Sequence, residues 1–167
     1  MTTTASTATT PAAGTAADSR ALGLAHYAAR GVLEHVLARH GVTFPQQIAL
    51  RAAVTADAPQ TSEELVAQVV ASVKSTPDDT RATLDELLTR GLLVAEGPHL
   101  RPTDAGRELL ATVGAQIAPI SARVWADIPT EDLLAAGRVL SQVTARANAE
   151  LAALTSASAP TGPSPAH

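Results

Sequence analysis

The stretch TPDDTRATLDELLTRGLLVAEGPHLRPTDAGREL, residues 76–109, decides the fold of this 167-residue chain. It opens with a Thr-Pro pair, which is typical of a helix start because the hydroxyl caps the first turn and proline needs no hydrogen bond there. Leu84, Leu87 and Leu88 recur at helical spacing, and Gly91 is suited to end the helix. The sequence therefore predicts one amphipathic helix between Thr76 and Gly91.

Two short apolar runs follow this helix, residues 92–95 and 99–101, and residues 96–98 join them. The joining residues, Glu-Gly-Pro, favour a turn by composition, so the two runs predict a small β-hairpin. Thr103 then starts another helix. Helix, hairpin and helix in this order are how a winged helix-turn-helix presents its reading helix and its wing.

Further helices are predicted on both sides of this stretch from capping residues and apolar spacing. They are expected over residues 18–39, from 43 to about 57, from the capping box at 61–64 onward, over 103–127 with a kink at Pro119, and over 130–154. In the second of them, Ile48, Ala52 and Ala53 are expected to face inward. The long terminal helices carry more apolar surface than the compact middle can cover, so they are expected to pair with each other and with a second copy.

Composition limits the class of protein. The chain has 46% apolar residues, a net charge of −4 and no cysteine, so we expect one core with appended helices and neither disulfides nor thiol chemistry. Residues 1–17 and 156–167 have the composition of disordered tails. No signal peptide is recognisable, and no apolar run approaches the roughly 18 residues of a membrane span. We therefore expect a cytoplasmic protein without a membrane partner.

Enzyme signatures are absent from the sequence. It contains no Gly-rich phosphate loop, no His-Glu-x-x-His motif and no cysteine nucleophile. His35 and His40 are five residues apart and point away from each other, which disfavours a shared metal site. We expect a protein that is not an enzyme and that needs neither a cofactor nor a metal.

The order of elements resembles the multiple-antibiotic-resistance regulator (MarR) family of dimeric winged-helix transcriptional regulators. The resemblance rests on TSEELVAQVV, on TPDDTRATLDELLTRGLLV and on LRPTDAGREL, and in element order it extends over residues 18–154. It implies a mainly α fold with a β-hairpin wing. Dimerisation helices would cover residues 18–42 and 103–155, and a DNA-binding lobe residues 43–102. It further implies a homodimer that binds double-stranded DNA, as a repressor relieved by a small ligand.

The DNA-contacting residues are predicted at the start of the reading helix and in the wing. They are Lys74, Ser75, Thr76, Asp78, Asp79, Arg81, His99 and Arg101. The two aspartates have two interpretations, because acids in a first turn complement the helix dipole and a carboxylate can also accept a hydrogen bond from cytosine in the major groove. Arg81, His99 and Arg101 are either contacts or solvated surface residues. Arg90 is expected to complement the C-terminus of its helix.

The resemblance also implies an effector cleft between the dimerisation helices and the DNA-binding lobe. Its expected lining is Tyr27, Arg30, Phe44, Gln47, Val113 and Ile117. Such a lining suits a small aromatic compound, and the arginine favours an anionic one. The alternative is that the few aromatic residues simply fill core or dimer contacts.

The charge of the predicted lobe supports a rival function. From Thr43 to Arg107 the chain carries six basic and nine acidic residues, so phosphate neutralisation is limited. A winged-helix module that contacts another protein, with weak or no DNA binding, is therefore the alternative interpretation.

Overall fold

The structure, a computed structural model, describes residues 16–157. Most of the two predicted disordered tails, residues 1–15 and 158–167, lies outside the described residues. The described chain is mainly helical, as the sequence predicts, with one small antiparallel sheet. In chain order its elements are α1 (Ser19–Ala38), α2 (Phe44–Thr55), β1 (Gln60–Thr61), α3 (Ser62–Val73), α4 (Pro77–Thr89), β2 (Leu93–Glu96), β3 (His99–Pro102), α5 (Asp104–Trp125) and α6 (Thr130–Ala157).

Side-chain caps set the starts of the first four helices. Asp18 accepts from the backbone N–H of Ala21 at 2.7 Å, and Thr76 caps α4. At α2 the cap is reciprocal, because the Thr43 hydroxyl accepts from the backbone N–H of Gln46 and the Gln46 side chain accepts from the N–H of Thr43. Thr61 and Glu64 form the same pair of hydrogen bonds at α3. Such boxes satisfy N–H groups that a helix end would leave without partners. They confirm the predicted helix starts.

The wing is a three-stranded sheet rather than the predicted two-stranded hairpin. Its order is β1-β3-β2, all antiparallel, and Gln60 pairs with Leu100. β1 is only two residues long, so it has no alternating pattern that could have predicted it. Glu96 pairs with His99, which leaves Gly97 and Pro98 as a two-residue turn, one residue shorter than predicted.

The main core lies among α2, α3, α4 and the sheet. Its buried residues are Ala49, Leu50, Ala53, Leu65, Val66, Val69, Leu84, Leu87, Leu92, Leu93 and Leu100. The prediction of the inward face of α2 was partly wrong. Ala53 is buried as predicted, but Ala49 and Leu50 are fully buried while Ile48 and Ala52 are only half-buried. The physical reason is that α3, α4 and β3 all contact α2, so its buried sector is wider than one helical stripe.

The start of α5 packs against the residues that follow α4. Thr103 Oγ1 donates to the carbonyl of Gly91 at 2.7 Å and accepts from the N–H of Gly106 at 3.1 Å. At Gly106 a Cβ atom would collide with the carbonyl oxygen of Leu92 and meet Leu50 Cδ1 at 3.1 Å. Close approach of two backbones is therefore what requires glycine at this position.

A second, smaller cluster joins the end of α1 to the middle of α5. Val36, Leu37, Val42 and Val113 are buried in it, and partly buried side chains complete it. Those side chains are Leu33, Phe44, Leu109, Ile117 and Ile120. Phe44, the first residue of α2, thus joins α2 to the α1–α5 cluster.

By backbone contacts the chain divides into two units, one ending at Ile120 and the other starting at Ser121. The second unit consists mainly of α6, which begins at Thr130 and runs to Ala157, three residues beyond the predicted end. None of its residues is buried within the described chain, and Leu140 and Val143 are 44% and 42% exposed. Apolar side chains at such spacing form a stripe that needs a partner surface.

Among residues 16–157 no single helix is both long and apolar enough to cross a membrane, and α5 and α6 meet that requirement only when taken together across their break.

Candidate nucleic-acid interface

The turn between α3 and α4 is built on a left-handed residue. Lys74 ends α3 with φ of 56°, a conformation that non-glycine residues adopt infrequently, and its backbone N–H donates to the carbonyl of Val70. Its Nζ donates to the carbonyl of Ala71 at 2.8 Å. The ammonium group therefore lies against the last turn of α3, beside the start of α4.

The first turn of α4 is held by hydroxyl groups. Thr76 Oγ1 accepts from the N–H of Asp79 at 3.1 Å and donates to Asp79 Oδ2 at 2.7 Å. Ser75 Oγ and Thr80 Oγ1 are 2.9 Å apart, and Thr80 is buried. Asp79 is thus turned toward its own helix cap, which is the geometry of the helix-dipole interpretation. Asp78, by contrast, has a side chain that is 95% exposed and pairs with Arg81.

Arg81 lies between two carboxylates. Its Nη1 donates to Asp78 Oδ1 at 2.9 Å, and its Nη2 and Nε donate to the two oxygens of Glu63 on α3 at 3.2 and 3.4 Å. The carboxylate of Glu63, followed by that of Asp78, raises the pKa of Arg81, so the guanidinium keeps its charge. The most prominent cation of the predicted reading surface is therefore exposed but locally neutralised.

The wing also contains an ion pair between an arginine and one carboxylate. Arg101 Nη1 donates to Glu96 Oε2 at 3.0 Å across β2 and β3. His99, the other predicted wing contact, starts β3 at the same end of the hairpin. Nearby, hydrogen bonds from the backbone and hydroxyl of Thr61 lower the pKa of Glu64, with a smaller contribution from His99.

The predicted effector residues are only partly brought together. The Arg30 guanidinium lies 4.5 Å from the centre of the Phe44 ring, and it also pairs with Glu34 at 2.8 Å. Phe44 shares the second cluster with Val113 and Ile117. Gln47 is buried, and its Oε1 has no hydrogen-bond partner within residues 16–157. Tyr27 is 71% exposed, and its ring meets the neighbouring His26 ring edge-on with the ring centroids 5.3 Å apart.

An apolar recess of about 270 Å³ lies among residues of α2, α3 and α4. It is lined by Phe44, Pro45, Val69, Val73, Ser75, Asp79, Thr80 and Thr83. Phe44 is the only residue that this recess shares with the predicted effector cleft.

Arg90 has a larger role than the predicted complement to a helix end. Its Nη1 donates to the carbonyl of Gly41 at 2.8 Å and to Gln46 Oε1 at 3.1 Å. Gln46 Nε2 in turn donates to Glu86 Oε2 at 2.7 Å. The residues in each of these contacts are at least 40 positions apart in the sequence, so no local pattern could have indicated the contacts. The only available sequence signal was Gln46 three residues after Thr43, which is typical of a capping box.

Together, the capped helix α4, the helix α3 before it and the β2–β3 hairpin after it define a winged helix-turn-helix protein. Among solved structures, the fold is that of the MarR-family regulators. A MarR protein of Staphylococcus aureus in complex with salicylate and kanamycin has a TM-score of 0.66 at 19% identity, with 75% of this chain and 86% of that chain covered.

Two further structures show the same likeness. A MarR-family protein of Mycobacterium tuberculosis in complex with DNA has a TM-score of 0.55 at 24% identity, covering 73% of this chain and 96% of that one. A MarR-family regulator from a Rhodococcus species has a TM-score of 0.61 at 20% identity, covering 73% and 88%. No protein-family sequence model and no curated protein sequence matches this chain. The likeness is therefore one of fold.

Proposed function

We propose that this protein is a MarR-type transcriptional regulator that binds double-stranded DNA as a homodimer. It acts as a repressor that a small aromatic or anionic ligand releases. The observation that carries the proposal is the exposed first half of α4 beside the wing, on a fold shared with a protein solved on DNA. Helix N-termini and hydroxyl groups such as those at Ser75 and Thr76 are suited to phosphate contacts.

Exposed apolar side chains on the terminal helices support the proposed dimer. α6 has no buried residue among those described, and Leu22 and Leu24 of α1 are also exposed. Residues 18–42 and 103–155 would form the dimer, and residues 43–102 the DNA-binding lobe. A two-fold axis would then place two copies of α4 in successive major grooves.

Ligand release is supported by the lining that Arg30, Phe44 and Val113 provide. A S. aureus protein of the same fold was solved with salicylate, a small aromatic anion. A cation stacked on an aromatic ring would attract such a ligand, provided that the ligand displaces Glu34 from Arg30. The ligand acts only if it favours one arrangement of the dimer over another.

The second candidate function is a winged-helix module that binds another protein. It is favoured by one specific observation: both arginines of the predicted DNA surface, Arg81 and Arg101, already pair with carboxylates. A neutralised surface has little electrostatic attraction for phosphates.

Titration of the protein with the DNA flanking its own gene, over 50–200 mM salt, separates the two candidates. A regulator binds this DNA more tightly than an unrelated duplex of equal length. Lys74→Ala or Arg81→Ala should weaken binding and reduce the salt slope by about one unit for each lost phosphate contact. Arg138→Ala, on α6, removes an equal charge outside the lobe and is the matched control. No binding to this DNA at low salt would favour the protein-interaction module.

A further inference from the structure

Gln46 is a buried amide that joins two helices. Its Oε1 accepts from the N–H of Thr43 at 3.0 Å, which completes the capping box of α2, and also from Arg90 at 3.1 Å. Its Nε2 donates to Glu86 Oε2 at 2.7 Å. The residue is 6% exposed, so its amide depends mainly on these bonds. The start of α2 is thereby tied to the last turns of α4.

Arg90 extends this tie to the corner between α1 and α2. Its Nη1 donates to the carbonyl of Gly41 at 2.8 Å and its Nη2 to that of His40 at 3.4 Å. Arg90 is the C-cap residue of α4, and its own N–H bonds to the carbonyl of Glu86. One guanidinium therefore connects the end of α4 with the end of α1 and with Gln46.

The same corner contacts the α1–α5 cluster on its other side. Phe44, two residues before Gln46, packs with Val113 and lies against the Arg30 guanidinium. Both Phe44 and Gln46 belong to the first turn of α2, which the capping box holds rigid. A displacement of Phe44 therefore moves the acceptor and donor atoms that hold α4.

We propose that Gln46, Glu86 and Arg90 form a positioning network that sets the orientation of α4 and couples it to the α1–α5 cluster. The inference rests on the proposed function, because the readout is DNA binding. None of the three residues needs to touch DNA. Glu86 is an acid, and the Arg90 donors named above are directed to protein oxygens. They act by holding the helix that does contact DNA.

Removing the carboxylate of Glu86 offers a test, because electrostatic repulsion and helix positioning predict opposite effects on DNA affinity. Removing an acid from a DNA-binding lobe strengthens binding through reduced repulsion with phosphate. Removing the acceptor of Gln46 leaves a buried amide N–H without its partner and loosens α4, which weakens binding. Asp85→Ala is the matched control, because the neighbouring acid is also exposed and its side chain is outside the network.

The experiment compares Glu86→Ala, Glu86→Gln and Asp85→Ala with the parent protein on the DNA flanking its own gene, with denaturant unfolding measured in parallel. We expect Glu86→Ala to bind roughly five- to tenfold more weakly than Asp85→Ala, the effect of about one lost buried hydrogen bond. Glu86→Gln, which keeps an acceptor for Gln46, should restore binding. The salt slope of Glu86→Ala should equal that of Asp85→Ala, since no phosphate contact is lost.

Arg90→Lys tests the second arm of the network. Lysine keeps the charge but has a single nitrogen, so it cannot reproduce the two-nitrogen geometry in which Nη1 donates to Gly41 and Gln46 while Nη2 donates to His40. It should therefore bind as weakly as Arg90→Ala with an unchanged salt slope. Binding restored by Arg90→Lys, or equal binding by Glu86→Ala and Asp85→Ala, would overturn the inference. Failure of the parent protein to bind any DNA would instead overturn the proposed function, while leaving the contacts of Gln46 to be tested by unfolding alone.

Discussion

Asp78 and Arg81 lie one turn apart at the start of α4, and Arg81 Nη1 donates to Asp78 Oδ1 at 2.9 Å. With Glu63 on the other side, Arg81 has two acidic partners before any ligand arrives. An exposed ion pair of this kind is weak and is easily exchanged for another anion. If Arg81 contacts DNA as proposed, a phosphate group would have to replace these carboxylates, and the resulting contact would be weak and sensitive to salt.

Neutralising these two partners should release Arg81 for DNA. We expect the double variant Glu63→Gln, Asp78→Asn to bind non-specific DNA more tightly, with a salt slope that rises by about one unit. Anisotropy titrations at several salt concentrations measure both quantities. The double variant Glu131→Gln, Asp132→Asn makes the same charge change on α6 and controls for net charge. Equal effects in the two variants would mean that Arg81 does not face DNA.

Gly106 should not tolerate a side chain. Gly106→Ala places a methyl group against the carbonyl of Leu92, and overpacking of this kind costs about 1–3 kcal/mol of unfolding free energy. Gly114→Ala in the same helix meets no atom within 4 Å and should stabilise the protein by about 0.5–1 kcal/mol, since alanine is the better helix former. Urea unfolding gives both values. A stable Gly106→Ala variant would contradict the close packing of α5 on Leu92.

A charge in the apolar stripe of α6 should disrupt the proposed dimer. Leu140→Glu or Val143→Glu would bury a carboxylate without a partner, so we expect monomers or unfolded protein at micromolar concentration. Light scattering with circular dichroism distinguishes the two outcomes. Gln142→Glu adds the same charge at a neighbouring exposed position and should remain dimeric. A folded monomeric parent protein would exclude the dimer altogether.

The proposed effector cleft can be tested through Arg30 and Tyr27. If salicylate-like anions release the DNA, Arg30→Ala should require a several-fold higher concentration of the anion, because the cation over Phe44 is lost. Tyr27→Ala should have a smaller effect if the exposed ring lies outside the cleft. Glu34→Ala removes the competing anion of Arg30 and should lower the concentration required. Unchanged release in all three variants would exclude this cleft.

The capping box of α3 should contribute a pH-dependent part of the stability. Hydrogen bonds from Thr61 lower the pKa of Glu64 from its ordinary value of 4.5. A carboxyl group with a lowered pKa in the folded state stabilises the protein above the ordinary value, and this contribution is lost as the pH falls through the lowered pKa. Glu64→Gln keeps an acceptor for Thr61 but does not titrate. Its unfolding free energy should therefore fall less steeply between about pH 5 and pH 3, and an identical slope would contradict the role of Glu64.

Much of the fold follows from local sequence patterns. Asp18, Thr43, Thr61 and Thr76 each start a helix because a side-chain acceptor at that position satisfies backbone donors within three residues. Residues 96–98 and the apolar runs around them predict the hairpin, because turn-forming residues stand between two short apolar segments. Such interactions join residues that are close in the sequence, so they can be predicted from the sequence alone.

The candidate site is less local. The sequence predicts Lys74 and Arg81 at the start of the proposed reading helix, but the pairing of Arg81 with Glu63 depends on how α3 packs against α4. β1, two residues long, exists only because β3 passes beside it. The contacts of Gln46 with Glu86 and Arg90 join segments about 40 residues apart. By itself the sequence determined where helices begin, where the hairpin turns and which surfaces are apolar, because these depend on neighbours within a few residues. Only the tertiary structure decided which charges meet and which amide is buried, because those contacts form when distant segments pack around one core.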